Sequence, residues 1–445
     1  MEWVEAAALI FGALFIMLAL GVPVAFAFIT VLLFGGLYFM GPASPAAITR
    51  GMLTTIASFT LVPIPLFVML AGILFHSGLA VKVLDAADMW LGRLPARLSI
   101  VGNIGGMIFA AISGSAIAGT AMLGALLLPE MLRRGYGKRI SLGALMATGG
   151  VEMIIPPSIL GVVYATVARV SVADILIGGI IPGLMMVVGY TTVILGIAYF
   201  VPGEAPPAPN KTAGQFGETI DYSMKNRVYN LVTYILPLGF VIFLVNGLIT
   251  LGIATPSESA ALGVAGMIIL AIAYRRFNFN VLMKSTTECV KVTAMTLLIV
   301  TASLGFSQLV GWTGITQGVI SLVTESSLPD WGLILGLLSI TLLMGTVLDS
   351  IAIIMLTAPF YGEVLKLVQA DPVWFGMLML VALKIGLTTP PFGILLFVMK
   401  GVAPPSVTMV DVWRAAIPFV LSDVLVLTLL WFFPALVTWL PSLVS

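Results

Sequence analysis

Long runs of apolar residues dominate this chain. Runs of roughly 17 to 25 apolar residues recur along its whole length, and a helix of that length can cross a bilayer core of about 30 Å. Barrel strands would instead appear as alternating segments of about ten residues. The pattern therefore predicts an all-α polytopic membrane protein.

The first apolar run covers residues 6–40 and follows Glu2 and Glu5 rather than basic residues. It also continues past any plausible cleavage site, unlike a secretory signal peptide. We interpret this run as two membrane helices.

Two pairs of adjacent prolines interrupt apolar runs in the two halves of the chain. Pro156–Pro157 lies within residues 146–163, and Pro390–Pro391 lies within residues 383–399, so the pairs are related by an offset of 234. Placing the segment SGSAIA on LDSIAI gives an offset of 235, and placing Pro182 on Pro418 gives 236. Three anchors that agree this closely indicate an internal duplication.

The order of segments repeats around a polar linker that is rich in Pro, Gly and charge. Each half has two apolar helices, an amphipathic piece, a third helix, a long Gly/Ser-interrupted segment, a proline-broken helix and a closing helix. The predicted division is scaffold helices at 1–98, a first transport part at 99–200, a cytoplasmic linker at 201–228, scaffold helices at 229–330 and a second transport part at 331–445.

Charge placement predicts that the two halves are inverted repeats. Basic residues flank the first Gly/Ser-interrupted segment on both sides, whereas the equivalent segment of the second half lacks that excess. By the positive-inside rule, the first segment enters and leaves from the cytoplasm and the second from the outer face. An apolar segment that returns to its own side must be a re-entrant helical hairpin. We therefore expect ten spanning helices and two hairpins.

Composition narrows the possible chemistry. The chain is 60% hydrophobic and 9% charged, with a mean hydropathy of +1.16. A single cysteine, Cys289, excludes an internal disulfide, and a single histidine, His76, leaves no histidine pair for zinc or a catalytic triad. His76 is expected to be a polar cap or an interfacial residue. A net charge of +1 gives no basic surface for nucleic acid.

The proline breaks predict ion sites. A proline removes a backbone donor, and the membrane offers no water to the carbonyls that are freed. A cation can satisfy those carbonyls, and sodium suits hydroxyl, carbonyl and carboxylate ligands. The candidate ligands are Ser113, Ser115, the carbonyls of Gly149 to Val151 and Ser158 in the first half, and Thr346, Asp349, Ser350, Thr388 and Thr389 in the second half.

Each candidate has a structural alternative. Membrane Ser and Thr commonly bond the preceding turn, Asp349 could cap the helix that follows it, and Lys384 could face water or a partner acid rather than a substrate carboxylate. Glu152, which lies shortly before Pro156, must be protonated, near an ion or salt-bridged. The substrate is expected between the two hairpin tips, and Ser115, Ser158, Ser350 and Thr389 are its candidate ligands.

Several segments in order resemble the large membrane subunit of tripartite ATP-independent periplasmic (TRAP) transporters, a DctM-like chain of the ion transporter superfamily. They are SFTLVPIPLFVMLAG, ISGSAIAGTAMLGALLLPEMLRRGY, IIPPSI, GGIIPGL, MGTVLDSIAIIMLTAP and LTTPPFGILLF. The resemblance implies an elevator-type transporter of organic anions in a bacterial inner membrane, driven by two or more sodium ions. It also implies a small four-helix Q-type membrane subunit and a periplasmic P-type substrate-binding protein as partners. Family ion-site positions fall here on Ser113, Gly114, Ser115, Gly150, Pro156 to Ser158, Gly345, Asp349, Ser350 and Thr388 to Pro391.

Two departures from the family pattern concern the first half. An Asp commonly follows the first tip, where this chain has Gly119, and Glu152 replaces a small or apolar residue. Our hypothesis is that Glu152 compensates for the missing acid or introduces proton coupling, with Lys384 as a second candidate coupling residue.

Three other readings of the chain remain open. A cation channel also uses carbonyl-lined breaks, but dead-end hairpins suit alternating access better. A membrane enzyme would need a nucleophile and base or a metal constellation. The nearest alternative is a sodium/carboxylate symporter of the same superfamily that needs no binding protein.

The C-terminal segment resembles the branch of the TRAP family that carries 2-oxo acids and other monocarboxylates. A mono- or dicarboxylate substrate is therefore expected.

Overall fold

The computed structural model describes residues 2–91, 94–113, 116–206, 223–325, 328–346 and 348–444, and the regular elements of these residues are all helical. The first half contains α1 (Trp3–Ala19), α2 (Val24–Gly35), α3 (Ser44–Ile56), α4 (Pro63–His76), α5 (Leu79–Leu91), α6 (Arg97–Ser113), α7 (Ala116–Arg133), α8 (Lys138–Gly149), α9 (Ile159–Ala168), α10 (Val172–Gly178) and α11 (Ile180–Phe200). The second half contains α12 (Met224–Asn230), α13 (Leu236–Ile242), α14 (Leu248–Thr250), α15 (Pro256–Ala273), α16 (Phe279–Trp312), α17 (Ile315–Glu325), α18 (Asp330–Gly345), α19 (Ser350–Leu367), α20 (Pro372–Thr388), α21 (Ile394–Val402), α22 (Met409–Phe432) and α23 (Ala435–Thr438).

Six helical stretches in the described part of the chain are long and apolar enough to cross a membrane. They are Phe59–His76, Val172–Phe200, Met224–Thr250, Pro256–Ala273, Phe279–Trp312 and Met409–Phe432. The other four predicted spans correspond to two shorter apolar helices, Trp3–Ala19 and Val24–Met40, and to the two proline-broken pairs α8–α9 and α20–α21. The prediction of an all-helical polytopic membrane protein is confirmed. Length alone identifies fewer spans than predicted, because the proline breaks shorten the helices of two spans and the first two helices of the chain are themselves short.

The two Gly/Ser-interrupted segments fold as antiparallel helix pairs. The Leu98 amide at the start of α6 donates to the hydroxyl of Tyr136, which follows the end of α7, at 3.2 Å. In the second pair, Tyr361 of α19 donates to the carbonyl of Leu337 of α18 at 2.8 Å. Each pair therefore begins and ends on the same side of the protein.

The proline pairs lie where two helices stop. Helix α8 ends at Gly149, a 3₁₀ turn covers Val151–Met153, and α9 begins after Ser158. Helix α20 ends at Thr388, and α21 begins at Ile394. Both proline pairs contain a cis peptide bond.

Packing links each helix pair to the broken helix of the other half as well as to its own. Helix α7 packs against α21, and α19 packs against α9, while the closing helices α11 and α22 pack against each other. One large apolar core unites these elements. A smaller core joins α1 and α2 to α16 and α17, so the 34-residue α16 contributes to both cores.

Side chains of neighbouring helices bond carbonyls that prolines leave without a helical donor. The carbonyl of Met355, one turn before Pro359, accepts from the Ser303 hydroxyl of α16 at 2.9 Å, next to a 55° bend in α19. The carbonyl of Leu430, one turn before Pro434, accepts from the Trp374 indole at 2.7 Å. These bonds fix α19 and α22 against their neighbours.

The close approach of α18 to α20 generates a test of this packing. A Cβ on Gly386 would lie 2.8 Å from the Cα of Gly345, so Gly386→Ala forces two backbones apart. We expect a loss of about 1–3 kcal/mol, seen as a lower thermal unfolding temperature in detergent. Gly336→Ala in α18 is the matched control, because nothing lies within 4 Å of its Cβ position. Equal unfolding temperatures for the two variants would contradict the packing described here.

Candidate ion and substrate site

At the second break, the end of α18 lies against the end of the broken helix α20. Gly345, the last residue of α18, lies against Gly386 in the last turn of α20, close to Thr388. After the turn, Asp349 caps α19 by accepting from the Ile351 amide at 3.1 Å. Ser350 follows and is buried. The structure therefore places the second-half candidates around one helix end and one helix start.

The threonine hydroxyls at this break donate back along their own helix. Thr388 bonds the carbonyl of Lys384 at 3.1 Å, and Thr389 bonds the carbonyl of Ile385 at 2.6 Å. Thr346 bonds the carbonyl of Leu343 at 2.8 Å. A hydroxyl that donates its proton keeps its lone pairs, so each oxygen can still coordinate a cation.

The first break has a similar arrangement. Ser158 is buried, donates to the carbonyl of Met153 at 2.7 Å and caps α9 by accepting from Gly161 at 3.0 Å. The carbonyl of Pro156 accepts from the side-chain amide of Asn246 at 3.0 Å. Asn246 belongs to the stretch Met224–Thr250, which is part of the predicted scaffold. Of the first tip, Gly114 and Ser115 lie outside the described residues, and Ser113 is described only as the last residue of α6.

Glu152 lies on the 3₁₀ turn Val151–Met153, between the end of α8 and Pro156. Its side chain is buried, with 4% of the residue surface exposed. The structure therefore places this carboxyl group inside the first break, as the sequence suggested.

The two breaks differ in exposure. Pro156 and Pro157 are both buried, whereas Pro391 is exposed and Phe392 is 62% exposed. The second break therefore presents surface that the first break encloses.

Lys384 forms the charged centre of the region. Its ammonium group bonds the carboxylate of Asp423 on α22 and the hydroxyl of Tyr190 on α11, and Tyr190 also donates to Asp423. All three side chains are fully buried. The ammonium nitrogen also lies 4.7 Å from the centre of the Tyr190 ring. Lys384 therefore has an acidic partner within the protein.

The stem of Lys384 packs on the first break. A Cβ on Gly150 would lie 3.0 Å from the Cγ of Lys384, so a larger residue at 150 would displace the lysine. The offset that relates the two proline pairs also relates Gly150 to Lys384. Two positions related by this offset thus touch each other.

The family of this chain follows from its similarity to known proteins. The family model of the tripartite ATP-independent periplasmic transporter, DctM component, matches residues 11–436. The chain belongs to this family.

Two relatives and one solved structure define the likeness further. The C4-dicarboxylate TRAP transporter large permease protein DctM of Pseudomonas aeruginosa is 29% identical over 93% of this chain and 92% of its own length. The isethionate TRAP transporter permease protein DctMQ of Oleidesulfovibrio alaskensis is 29% identical over 98% of this chain and 66% of its own length. The YdaH transporter of Alcanivorax borkumensis has a similar fold, with a TM-score of 0.62, 14% identity and coverage of 88% of this chain and 89% of YdaH.

This DctM-family permease is therefore a transporter subunit and not an enzyme, and it is a multi-pass protein of the inner membrane.

Sequence reasoning missed three residues that the structure brings to the site. Asp423 is a single acid in an apolar stretch of α22, and Asn246 is a single amide in an apolar run. Such polar residues are costly in a membrane, which could have identified both. Tyr190 has no comparable signal, because an isolated tyrosine is ordinary in a membrane helix.

The buried Lys384–Asp423 pair of the permease allows a stability test. Asp423→Asn leaves the ammonium group of Lys384 buried without a counter-charge, and we expect a loss of about 3–5 kcal/mol. The triple variant Lys384→Met, Asp423→Leu and Tyr190→Phe removes every member of the network and should recover most of that loss. Thermal unfolding in detergent measures both effects.

A surface pair provides the control for this test. Lys366 and Glu363 are 2.7 Å apart, and the Lys366 side chain is 73% exposed, so Lys366→Met should change the unfolding temperature little. A triple variant that is less stable than Asp423→Asn would show that the network is not held together by charge.

Proposed function

We propose that this permease carries out sodium-coupled uptake of an organic acid anion, a mono- or dicarboxylate, that a periplasmic binding protein delivers. The observation that carries the proposal is the pair of proline-broken helices, each abutted by the antiparallel helix pair of its own half. Because the chain belongs to a transporter family, its activity is transport. The geometry of the breaks suggests where the ions and the anion bind.

The arrangement supports two inverted repeats that surround one site. Helix α19 corresponds to α7 and α21 corresponds to α9 under the offset that relates the proline pairs, so the contacts α7 with α21 and α19 with α9 are equivalent. The contact between Gly150 and Lys384 joins equivalent positions and lies close to any twofold axis that relates the halves. Because each antiparallel pair begins and ends on one side, both pairs are suited to be re-entrant hairpins.

Sodium coupling rests on the ligands at the breaks. The carbonyl of Pro156, the hydroxyls of Ser158, Ser350, Thr388 and Thr389, and the Asp349 carboxylate are all hard oxygen ligands. We place one sodium ion between each hairpin tip and the broken helix of its own half. At the second break, Gly345 allows the backbones of α18 and α20 to approach closely. Two sodium ions that enter with one monoanion carry one net positive charge, worth about 2.3 kcal/mol per 100 mV of membrane potential.

A cavity of about 680 Å³ offers a route for the anion. Its walls come from α9, α16, α19 and α20. They include Arg169, Tyr164 and the Lys366–Glu363 ion pair, which leaves Arg169 as the unpaired cation among the described lining residues. In the predicted orientation these residues face the periplasm. The cavity reaches Ile354, one helical turn beyond Ser350, so we place its inner end near the second hairpin turn.

The partners follow from the TRAP system, which implies a DctQ subunit and a periplasmic binding protein. The isethionate relative combines M and Q in its name and is longer than this chain, which supports association with a Q-type subunit. The named cargoes of two relatives, C4-dicarboxylates and isethionate, are anions, as is the cargo proposed here. An elevator movement of the hairpins and broken helices against the scaffold would break the bond between Asn246 and Pro156.

Uptake by proteoliposomes tests the proposal. They contain the permease with its Q-type subunit, and radiolabelled pyruvate, lactate or 2-oxoglutarate is supplied with and without candidate binding proteins and an inward sodium gradient. We expect uptake that requires both sodium and one binding protein. Thr388→Val removes a proposed sodium ligand and should raise the sodium concentration for half-maximal uptake.

The control is Thr428→Val in α22, because Thr428 makes the same backward bond, to Val424 at 2.7 Å, on an exposed face away from the breaks. Uptake without a binding protein would instead indicate a free-standing symporter, and uptake without sodium would refute sodium coupling.

The buried position of Glu152 gives a separate prediction. If this carboxyl group takes part in coupling, Glu152→Gln should change the dependence of uptake on pH or on sodium, because the amide cannot ionise. The measurement is initial uptake rate against pH at fixed sodium and against sodium at fixed pH. Profiles that match those of the unmodified permease would remove Glu152 from the mechanism.

A further inference from the structure

A second cavity, of about 480 Å³, lies at the starts of α8 and α22, at the ends remote from the breaks. The short segment that follows α11 closes one side of it. Its lining residues are Lys138, Arg139, Glu204, Asp411, Arg414 and Ile417. Three cations and two carboxylates thus surround a space that the transport proposal does not use.

The lysine and both carboxylates of this cavity are already engaged. Lys138 bonds the carboxylate of Asp411 and the carbonyl of Ser406, both at 2.8 Å. Asp411 also caps its own helix through Thr408. Glu204 caps α8 by accepting from the Ile140 amide at 3.0 Å. These charges hold the walls of the cavity in place.

Unlike Lys138, the two arginines of the cavity have no carboxylate partner among the described residues. Within the described ranges, neither Arg139 nor Arg414 has a carboxylate within 4.0 Å. The Nε of Arg139 is buried, yet it has no hydrogen-bond acceptor among the described residues. A buried guanidinium donor without an acceptor is costly, so the cavity suits an anion that accepts from it. Guanidinium groups match the oxygens of phosphate because their donors form a planar fork.

An exposed apolar stripe leads away from the arginines. Ile417 lines the cavity and is 48% exposed, and Leu421 and Leu425 continue along α22 with 63% and 60% exposed. The cationic cavity and the stripe together match an amphipathic molecule with an anionic head and an acyl chain. A soluble anion would use only the first of these features.

We propose that this cavity binds the phosphate headgroup of an anionic phospholipid. Arg139 and Arg414 hold the phosphate, and an acyl chain lies along Ile417, Leu421 and Leu425. The lipid headgroup would contact the start of α8, the start of α22 and the segment after α11, which the bonds of Lys138 and Glu204 already hold together. In the orientation predicted from the positive-inside rule, the cavity faces the cytoplasmic leaflet, where basic pockets between helices bind such headgroups.

Native mass spectrometry of the delipidated permease tests the proposal. Phosphatidylglycerol and phosphatidylcholine with the same acyl chains are titrated separately onto the unmodified protein and onto the double variant Arg139→Gln, Arg414→Gln. We expect phosphatidylglycerol to bind more tightly than phosphatidylcholine, and the variant to weaken phosphatidylglycerol binding at least about tenfold. Arg139→Lys, Arg414→Lys keeps the charge but loses the planar fork, and it should fall between the two.

The matched control is Arg275→Gln, Arg276→Gln, which removes two exposed cations after α15 on the same predicted side. Equal loss of phosphatidylglycerol binding in the control and the cavity variant would overturn the proposal, since general surface charge would then explain the binding. The thermal unfolding temperature of the same variants in detergent checks that they are folded. This check does not depend on sodium-coupled transport, so this proposal and the transport proposal can fail separately.

Two further results would overturn the assignment to a lipid. If inorganic phosphate displaces phosphatidylglycerol and raises the unfolding temperature equally, the site binds free phosphate. If phosphatidylglycerol binds only after Glu218→Gln and Asp221→Asn, carboxylates of the linker occupy the arginines in the unmodified protein.

Discussion

A backbone carbonyl in the interior of a bilayer has no water to bond, and this constraint governs the middle of the molecule. Each proline in a membrane helix frees a carbonyl, and the structure shows neighbouring side chains that bond carbonyls at such breaks: Ser303 bonds Met355, Trp374 bonds Leu430, and Asn246 bonds Pro156. Because these donors come from other helices, each break also fixes a tertiary contact. The prolines in the apolar segments therefore contribute to the tertiary structure, because side chains of neighbouring helices bond the carbonyls at these breaks.

The centre of the protein combines these breaks with a fixed charge. Lys384 extends from one broken helix across Gly150 of the other and ends at Asp423 and Tyr190 of the closing helices. One side chain thus connects elements from both halves. Its position explains why Gly150 must be small: the two halves are not identical at this point, and the lysine of one occupies the space left by the glycine of the other.

The general plan of the protein could be predicted from the sequence, because it depends on strong local signals. The apolar runs indicated the helices, the shared offset of the proline pairs located both breaks, and ordered motifs indicated the family. The contacts between side chains of distant helices were harder to predict. Nothing local indicates that Lys384 meets Asp423 rather than water, or that Asn246 reaches Pro156, because these contacts depend on how helices far apart in sequence pack. The predicted sodium and substrate ligands remain predictions, and the structure adds that several of their hydroxyls also stabilise their own helices.

The unequal exposure of the two breaks has a consequence for the transport cycle. The first break is enclosed, and the second presents Phe392 at its surface. If the halves are inverted repeats, as proposed, each half can adopt the conformation that the other has here. Exchanging the two conformations would then describe a second state, with the first break uncovered and the second enclosed. The difference in exposure between the two breaks would in this way describe both end states of the transport movement.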